Sequence, residues 1–453
     1  MASTSRPDPG SPPGAPAAPV GLAVPAQHRL AAREARLLPG TRLAFADLHN
    51  HSHLSDGDGD ARLAFDSMFD AGLDVAALTD HARIGWVLPV SLCGDTAGPC
   101  ASLVGLHEDA WTRTGALADA ADRPGEFVAM RGFEWTSPSL GHVNVWDSAE
   151  WIDALATRAI TPADWEVAWA VERLGSLAGE LREIVLTVAR NGWHAAVGTH
   201  GLFDWLARPP GATLLGGGSD GLASFNHPGR DGMWFDDFRY DPAVAERVVA
   251  MEIFNRDEDY LFEGVDQGRR SPLVACLEAG WRVGLSGVTD EHGHSWGREE
   301  GLGRTGLWVR TLTRAGVREA LRARRFYATR VSGLRLDAVA NGARMGQVVG
   351  RHPSGIRIKL DLDRGPEWIG KPLLVQFLGP GEVLPTLLDV VPFDVPSPGR
   401  TLELRLGGFD DWFVLRVTDP DEPADPRAPG PWARFGRAIA YSSPFFAAGE
   451  GYR

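Results

Sequence analysis

The chain has 453 residues, 44% of them hydrophobic, and a formal charge of −14, so it is long enough for a large domain plus an appended one. That acidity excludes a nucleic-acid surface, which needs a basic stripe to release counterions. No apolar run approaches a membrane span, and three cysteines are too few for a disulfide framework. The only lysines are Lys359 and Lys371, so nearly every cation is an arginine, a side chain suited to bidentate binding of phosphate or carboxylate.

Residues 1 to about 25 are rich in Pro, Ala, Ser and Gly and carry too little apolar surface to offset chain entropy. They read as a disordered leader or as the remnant of a targeting segment. Gln27 to Leu38 is expected to form a short helix, so residues 1–40 stand apart from the body. The default compartment is cytoplasmic, with secretion as the alternative.

From Leu43 onward, apolar runs alternate with segments of helical spacing. LAFADLH is a strand that runs into His49, His51 and His53, whose alternation puts all three on one face of an extended chain. Asp56 follows where Ser-Asp-Gly breaks the strand. Several imidazoles and a carboxylate at one strand end point to a divalent metal, whereas a single His-x-His pair is often only a solvated strand. The aspartates at 56, 58 and 60 superficially suggest a calcium loop, but Ala61 and Ser67 occupy the positions of its Gly and Glu, leaving Asp58 and Asp60 as solvated loop residues.

A helix over Ala61 to Ala71 leads to DVAALTDH, 74–81, which ends in Asp80-His81. In the excursion that follows, Cys93 and Cys100 lie close enough in sequence to bridge, leaving Cys276 over. After a helical stretch from Leu106 to Ala121 come two strands, EFVAMRGFEW (126–135) and GHVNVWDS (141–148). Residues 162–190 carry Trp165, Trp169, Leu174, Leu177 and Leu181 at helical spacings, and Gly201 to Arg208 forms another helix. The runs GLASFNHPG, AMEIFN and RVGLSGVTDEH repeat the pattern of an apolar strand with polar residues at its C-terminal end. Chemistry gathered at strand ends indicates a parallel α/β barrel or a related sheet, finishing near residues 327–332 after a helix over Ala315 to Arg325. Beyond Gly333 the rhythm becomes period two, broken by Gly, Pro and Asp turns, which predicts an all-β sandwich over 333–453.

Nine residues stand at the strand ends: His49, His51, Asp56, His81, Glu134, His142, His227, Asp290 and His292. Each alone has an ordinary explanation; Glu134, for one, is a fair partner for Arg131. Independent structural uses would scatter them, whereas a shared metal site gathers them. The set is imidazole and carboxylate with no thiolate, which suits Zn, Mn or Fe better than Ca.

The motifs DLHNHSHLSDG, ALTDH, GFEW with GHVN, FNHPG and VTDEH, in that order over about residues 43–330, resemble the PHP (polymerase and histidinol phosphatase) superfamily of metal-dependent hydrolases. Thr289 departs conservatively from the Ser common in that family. The resemblance implies a distorted (β/α)7 barrel over 41–332 holding two or three divalent ions. It assigns His49, His51, Glu134 and Asp290 to one ion, Glu134, His142 and His227 to a second, and Asp56, His81 and His292 to a third. A metal-bridging hydroxide would then attack a phosphate ester, with Glu134, Asp290 and His292 as the catalytic candidates. Arg230, Arg83 and His53 are candidates for meeting a small-molecule substrate, and Arg298 and Arg304 also follow the last ligand motif. His194, His200 and His294 lie near these motifs without matching them, and Trp135, Trp146, Trp234 and Trp296 either wall the pocket or pack the core.

The β-rich C-terminus and GFEWTSPSLGHVNVW also resemble a branch that includes carbamate and carboxylic ester hydrolases, which is the alternative reading. A non-catalytic binding module is a third, opposed by the complete ligand set. Oligomeric state is not legible in the residues.

Overall fold

The computed structural model describes residues 33–82, 105–106, 108–137, 140–154, 157, 199–213, 215–230, 234–298, 302–350 and 355–448. The leader, Arg83, Cys93, Cys100, the helical stretch 162–190 and His194 lie outside the described residues, as does the side chain of His200.

The first strand, β1 (Arg42–Asp47), is apolar on both faces, as an interior strand of a covered sheet must be. Its alternate residues feed two cores. Leu43 and Phe45 belong to one, while Ala44, Ala46 and Leu48 belong to the other. Helix α1 (Ala61–Asp70) covers the first core with Ala64, Phe65 and Met68. Asp60 starts this helix, its carboxylate accepting from Arg62 N at 3.0 Å, so the residue expected to be merely solvated is an N-cap.

The chain continues through β2 (Val75–Leu78), α2 (Glu108–Ala121), β3 (Val128–Ser137), β4 (Gly141–Trp146), α3 (His200–Ala207), β5 (Leu222–Phe225), β6 (Val248–Asn255), the two-residue β7 (Glu258–Asp259), α4 (Pro272–Glu278) and β8 (Gly284–Val288). β1, β2 and β3 pair in parallel; β4 runs antiparallel between β3 and β5; β5, β6 and β8 are parallel again. The strand–helix alternation of the sequence is therefore present, with one reversed strand. The sheet curls until the ends of β8 and β1 meet: Asp290 N donates to His49 O at 2.9 Å, and His51 N to Glu291 O at 2.8 Å. Thr289 adds a bond from its N to Asp47 Oδ1 at 3.1 Å, so the end of the last parallel strand is tied to the end of the first.

Beyond β8, β9 (Arg304–Val309) pairs antiparallel with β1, and α5 (Arg314–Arg322) lays Val317, Ala320 and Leu321 on the second core. β10 (Phe326–Thr329) then pairs with β9. The C-terminal residues are strand-rich as expected, in β11 (Arg335–Ala340), β12 (Ala343–Arg344), β13 (Val348–Val349), β14 (Ile356–Asp363), β15 (Pro372–Gly379), β16 (Thr386–Asp394), β17 (Leu402–Leu406), β18 (Trp412–Asp419), β19 (Arg437–Ser442) and β20 (Phe445–Ala447). Asn341 and Gly342 join β11 to β12 with φ of 47° and 91°, the left-handed pair that a two-residue hairpin requires. β12, β11, β14 and β17 form a separate four-stranded sheet. The other C-terminal strands extend the large sheet, because β19 pairs with β10.

Residues 33–38, expected to end a short helix, are not helical. Glu34 bridges to Arg42, while the Arg36 guanidinium reaches Asp361 at 2.8 Å and Asp363 at 2.6 Å. Polar clamps onto the C-terminal sheet replace the turn-by-turn hydrogen bonds of a helix. Among the described residues, no helix is long and apolar enough to cross a membrane.

Candidate metal centre

The nine sequence-predicted ligands converge at the C-terminal ends of the parallel strands. At their middle is Glu134, fully buried on β3. Its Oε1 lies 3.2 Å from His49 Nε2, His142 Nδ1 and His227 Nε2 alike. Its Oε2 lies 2.6 Å from His81 Nδ1 and 3.6 Å from His51 Nε2. Asp290 Oδ1 stands 3.3 Å from His49 Nε2 and 3.2 Å from His51 Nε2. On the outer side, Asp56 Oδ2 is 3.4 Å from both His81 Nε2 and His292 Nε2.

Three groups of donor atoms each fall within 4.8 Å of one another: His49, His51 and Asp290; His51, Asp56, His81 and His292; and His81, Glu134 and His142. The second contains all of one expected set, Asp56, His81 and His292, and the first holds three of another, without Glu134; His51 is shared between them. The third has His81 beside Glu134 and His142, and His227 meets the same Glu134 oxygen as His142 does.

The electrostatics are those of imidazoles and carboxylates packed against one another out of water. Burial would raise the Glu134 carboxyl, but His142, His81 and His49 hold it well below the usual range. Burial likewise opposes ionisation of Asp290, and His49 and His51 overcome it. Burial pushes the His51 imidazole down to about 3, helped by His292 and His81. Burial acts the same way on His81, but Glu134 and Asp56 outweigh it and bring that ring to about 10. Glu134 Oε2 and His142 Nδ1 are buried and, close as His81 and Glu134 stand to them, find no aligned hydrogen-bond partner among the described residues. Polar atoms orphaned at such depth are costly unless something binds them, and imidazole beside carboxylate is the donor chemistry of a divalent transition metal. The residues fit such ions.

Backbone geometry sharpens the placement. His227 and Asp290 both take positive φ, 26° and 50°, a conformation non-glycine residues hold only where their surroundings impose it. The loop bearing Asp56 folds tightly, and a Cβ on Gly57 would stand 2.8 Å from Ser52 N. Asp80 pins that loop by accepting from Ser52 N at 2.7 Å and from Ser55 Oγ at 2.8 Å.

His53 is not with its two neighbours. Extended pairing continues past β1 to Asn50 and His51, but the turn begins at residue 53, where alternation no longer governs. Its Nδ1 accepts from Ala61 N at 3.1 Å, outside the cluster. Arg230 does reach the centre: it donates to Asp290 Oδ2 at 3.1 Å, Asn255 Oδ1 at 3.3 Å and Glu258 Oε2 at 2.9 Å. Arg298 and His294 are exposed, and Arg304 is buried beside Asp47. Arg131 does not pair with Glu134; its guanidinium lies over Trp111 and donates to Ser148 O and Ala149 O.

Trp135, Trp146, Trp234 and Trp296 are all buried. Two of them grip the ligand-bearing backbone, Trp146 Nε1 donating to Leu48 O at 2.8 Å and Trp296 Nε1 to His51 O at 3.0 Å.

Several contributors escaped the sequence reading. Glu252 on β6 lies 2.7 Å from His49 Nδ1, Asn226 donates to Glu134 Oε1 at 2.8 Å, and the Arg256 guanidinium lies 3.0 Å from His292 Nδ1. The signal for Glu252 was present: a single carboxylate inside the otherwise apolar run VVAMEIF has no reason to be there without a polar partner.

No family model matches the chain, and no curated protein matches it. Solved structures do. One is a two-domain protein from Bacteroides vulgatus containing a predicted PHP-like metal-dependent phosphoesterase, 14% identical, with a TM-score of 0.40 over 91% of this chain and 98% of that one. A proposed metal-dependent phosphoesterase from Bifidobacterium adolescentis is 14% identical, with a TM-score of 0.28 over 55% of this chain and 88% of that one. An amidohydrolase from Chromobacterium violaceum, with bound sulfate and no metal, is 16% identical, with a TM-score of 0.25 over 55% of this chain and 87% of that one. The structural neighbours of the chain thus include PHP-like phosphoesterases and an amidohydrolase.

Proposed function

We propose that the chain is a metal-dependent phosphoesterase whose site lies in a distorted seven-stranded barrel over residues 41–332, with residues 1–40 as a leader and 333–453 as a β-rich appendage. The observation that supports this most is the burial of Glu134 among four histidine rings, each with a ring nitrogen within 3.2 Å of its carboxylate. His49, His51, Glu134 and Asp290 would hold one divalent ion, Glu134, His142 and His227 a second, and Asp56, His81 and His292 a third, with zinc, manganese or iron suited to the donors. Such ions supply an activated water and neutralise charge that develops in the transition state. The chain does the rest. Arg230, partly exposed and already facing carboxylates, orients an anionic substrate by giving its guanidinium to the substrate's oxygens. Asp290 or His292, 3.5 Å apart, would take the proton from that water and pass it to the leaving oxygen.

The carbamate or ester alternative rests on the resemblance of GFEWTSPSLGHVNVW and the β-rich C-terminus to that branch. The Arg230 guanidinium beside Asp290 favours an anionic substrate over it. Assays of aryl phosphates, phosphodiesters, naphthyl esters and naphthyl carbamates in parallel, after metal analysis, test the choice. Turnover confined to the carbonyl substrates would overturn it.

A further inference from the structure

Glu252 belongs to none of the expected ligand groups, yet it touches both sides of the centre. It sits in the middle of β6, whose residues are all buried, and is itself 1% exposed. Its Oε1 lies 2.7 Å from His49 Nδ1, the ring nitrogen that faces away from the cluster. Its Oε2 accepts from His227 N at 2.7 Å and from Asn255 Nδ2 at 3.0 Å. Both oxygens are therefore engaged, one with a ligand ring from the end of β1 and one with a ligand backbone from the end of β5.

Each contact settles something that a ligand needs settled. An imidazole binds a cation through one nitrogen only when the other carries the proton, and the partner of that proton fixes the ring's rotation. With Nδ1–H donating to Glu252, His49 presents Nε2 to Glu134 and Asp290, at 3.2 and 3.3 Å. The His227 backbone is held at φ 26°, a strained value for any residue with a Cβ, and the bond to Glu252 is one of the restraints that hold it there. A buried carboxylate with a single partner would cost more than it contributes; with three donors it is satisfied.

We infer that Glu252 is a positioning residue, one carboxylate that orients the His49 ring and the His227 backbone together so that both present donors to the same divalent centre. This rests on the metal-centre reading and deepens it. Glu252 would not touch substrate, and its effect passes through the two histidines.

Glu252→Gln keeps the shape and the bond to His49 Nδ1 through the amide oxygen, but puts an NH2 opposite the His227 N–H. Glu252→Ala removes both bonds. The two variants and wild type are compared by titrating Zn2+ and Mn2+ into metal-free protein, with thermal unfolding followed in parallel. Apparent affinity is expected to fall by about 10–100-fold in Glu252→Ala, less in Glu252→Gln, with both folded and with the number of sites unchanged. A second readout needs no metal: in protein with 15N-labelled histidine, the wild type should show a downfield His49 Nδ1–H proton protected from solvent exchange, kept in Glu252→Gln and lost in Glu252→Ala. Wild-type affinity in both folded variants, or a freely exchanging His49 Nδ1–H in wild type, would overturn the assignment. Absence of metal binding by wild type with the protected proton intact would count against the metal centre, leaving the orientation of His49 by Glu252 established.

Discussion

Arg230 and Asp290 are joined by a hydrogen bond of 3.1 Å, which leaves a guanidinium poised at the edge of the ligand cluster. The same guanidinium is shared with Glu258 and Asn255, so it is held in place before any substrate arrives. Arg230→Met keeps much of the side-chain volume and removes the charge. The expected outcome is a rise in KM for aryl phosphates of about 10–100-fold, equivalent to about 1.5–3 kcal/mol for a charge-assisted bond, with metal content unchanged. Steady-state kinetics with metal analysis check it, and an unchanged KM would remove Arg230 from the substrate contacts.

Trp308 is fully buried on β9, donates to Leu336 O at 3.1 Å and carries the Arg335 guanidinium 4.8 Å from its ring. It therefore couples the sheet that bears the centre to β11 of the four-stranded sheet. Trp308→Ala should destabilise the protein by about 3–5 kcal/mol in denaturant unfolding. A loss below about 1 kcal/mol would mean that the two sheets are not coupled through this residue.

Asp337 is buried beside the Arg344 guanidinium at 3.0 Å, and burial pushes its carboxyl up to about 6 despite that partner. A folded-state value above the unfolded one, about 3.9, means that the native state binds the proton more tightly. Its contribution is therefore most favourable below about pH 4, declines as pH rises toward 6, and is flat beyond. The stability difference between wild type and Asp337→Asn, followed by thermal unfolding across that interval, should shift toward the variant as pH rises. A difference that stays constant with pH would contradict the shift.

The parts of this molecule that were legible in the sequence are those where local pattern and chemistry coincide. His49, His51, His81, His142, His227 and His292 each follow or begin a strand whose apolar run is unambiguous, and all six enter the cluster. His53 leaves the face of its neighbours because period two holds only to His51, after which the Asp80 carboxylate folds Ser52 and Ser55 into a turn. Glu252 was overlooked because its partners, His49 and the His227 backbone, are 203 and 25 residues away. The C-terminal strands were readable from their alternation, but their attachment was not. The pairing of Tyr327 with Ser442 through Thr329 with Ala440 joins segments more than a hundred residues apart, and no local pattern encodes such a partner.

Glu134, ringed by His49, His81, His142 and His227, is the residue on which the proposed divalent metal centre depends. Metal content per chain, measured by mass spectrometry on wild type and on Glu134→Gln after identical purification and reconstitution, tests it most directly. Wild type is expected to hold about two or three ions and the variant at least one fewer, since a carboxylate shared between sites cannot be replaced by a neutral amide without loss. Equal metal content in the two proteins, or none in reconstituted wild type, would contradict it.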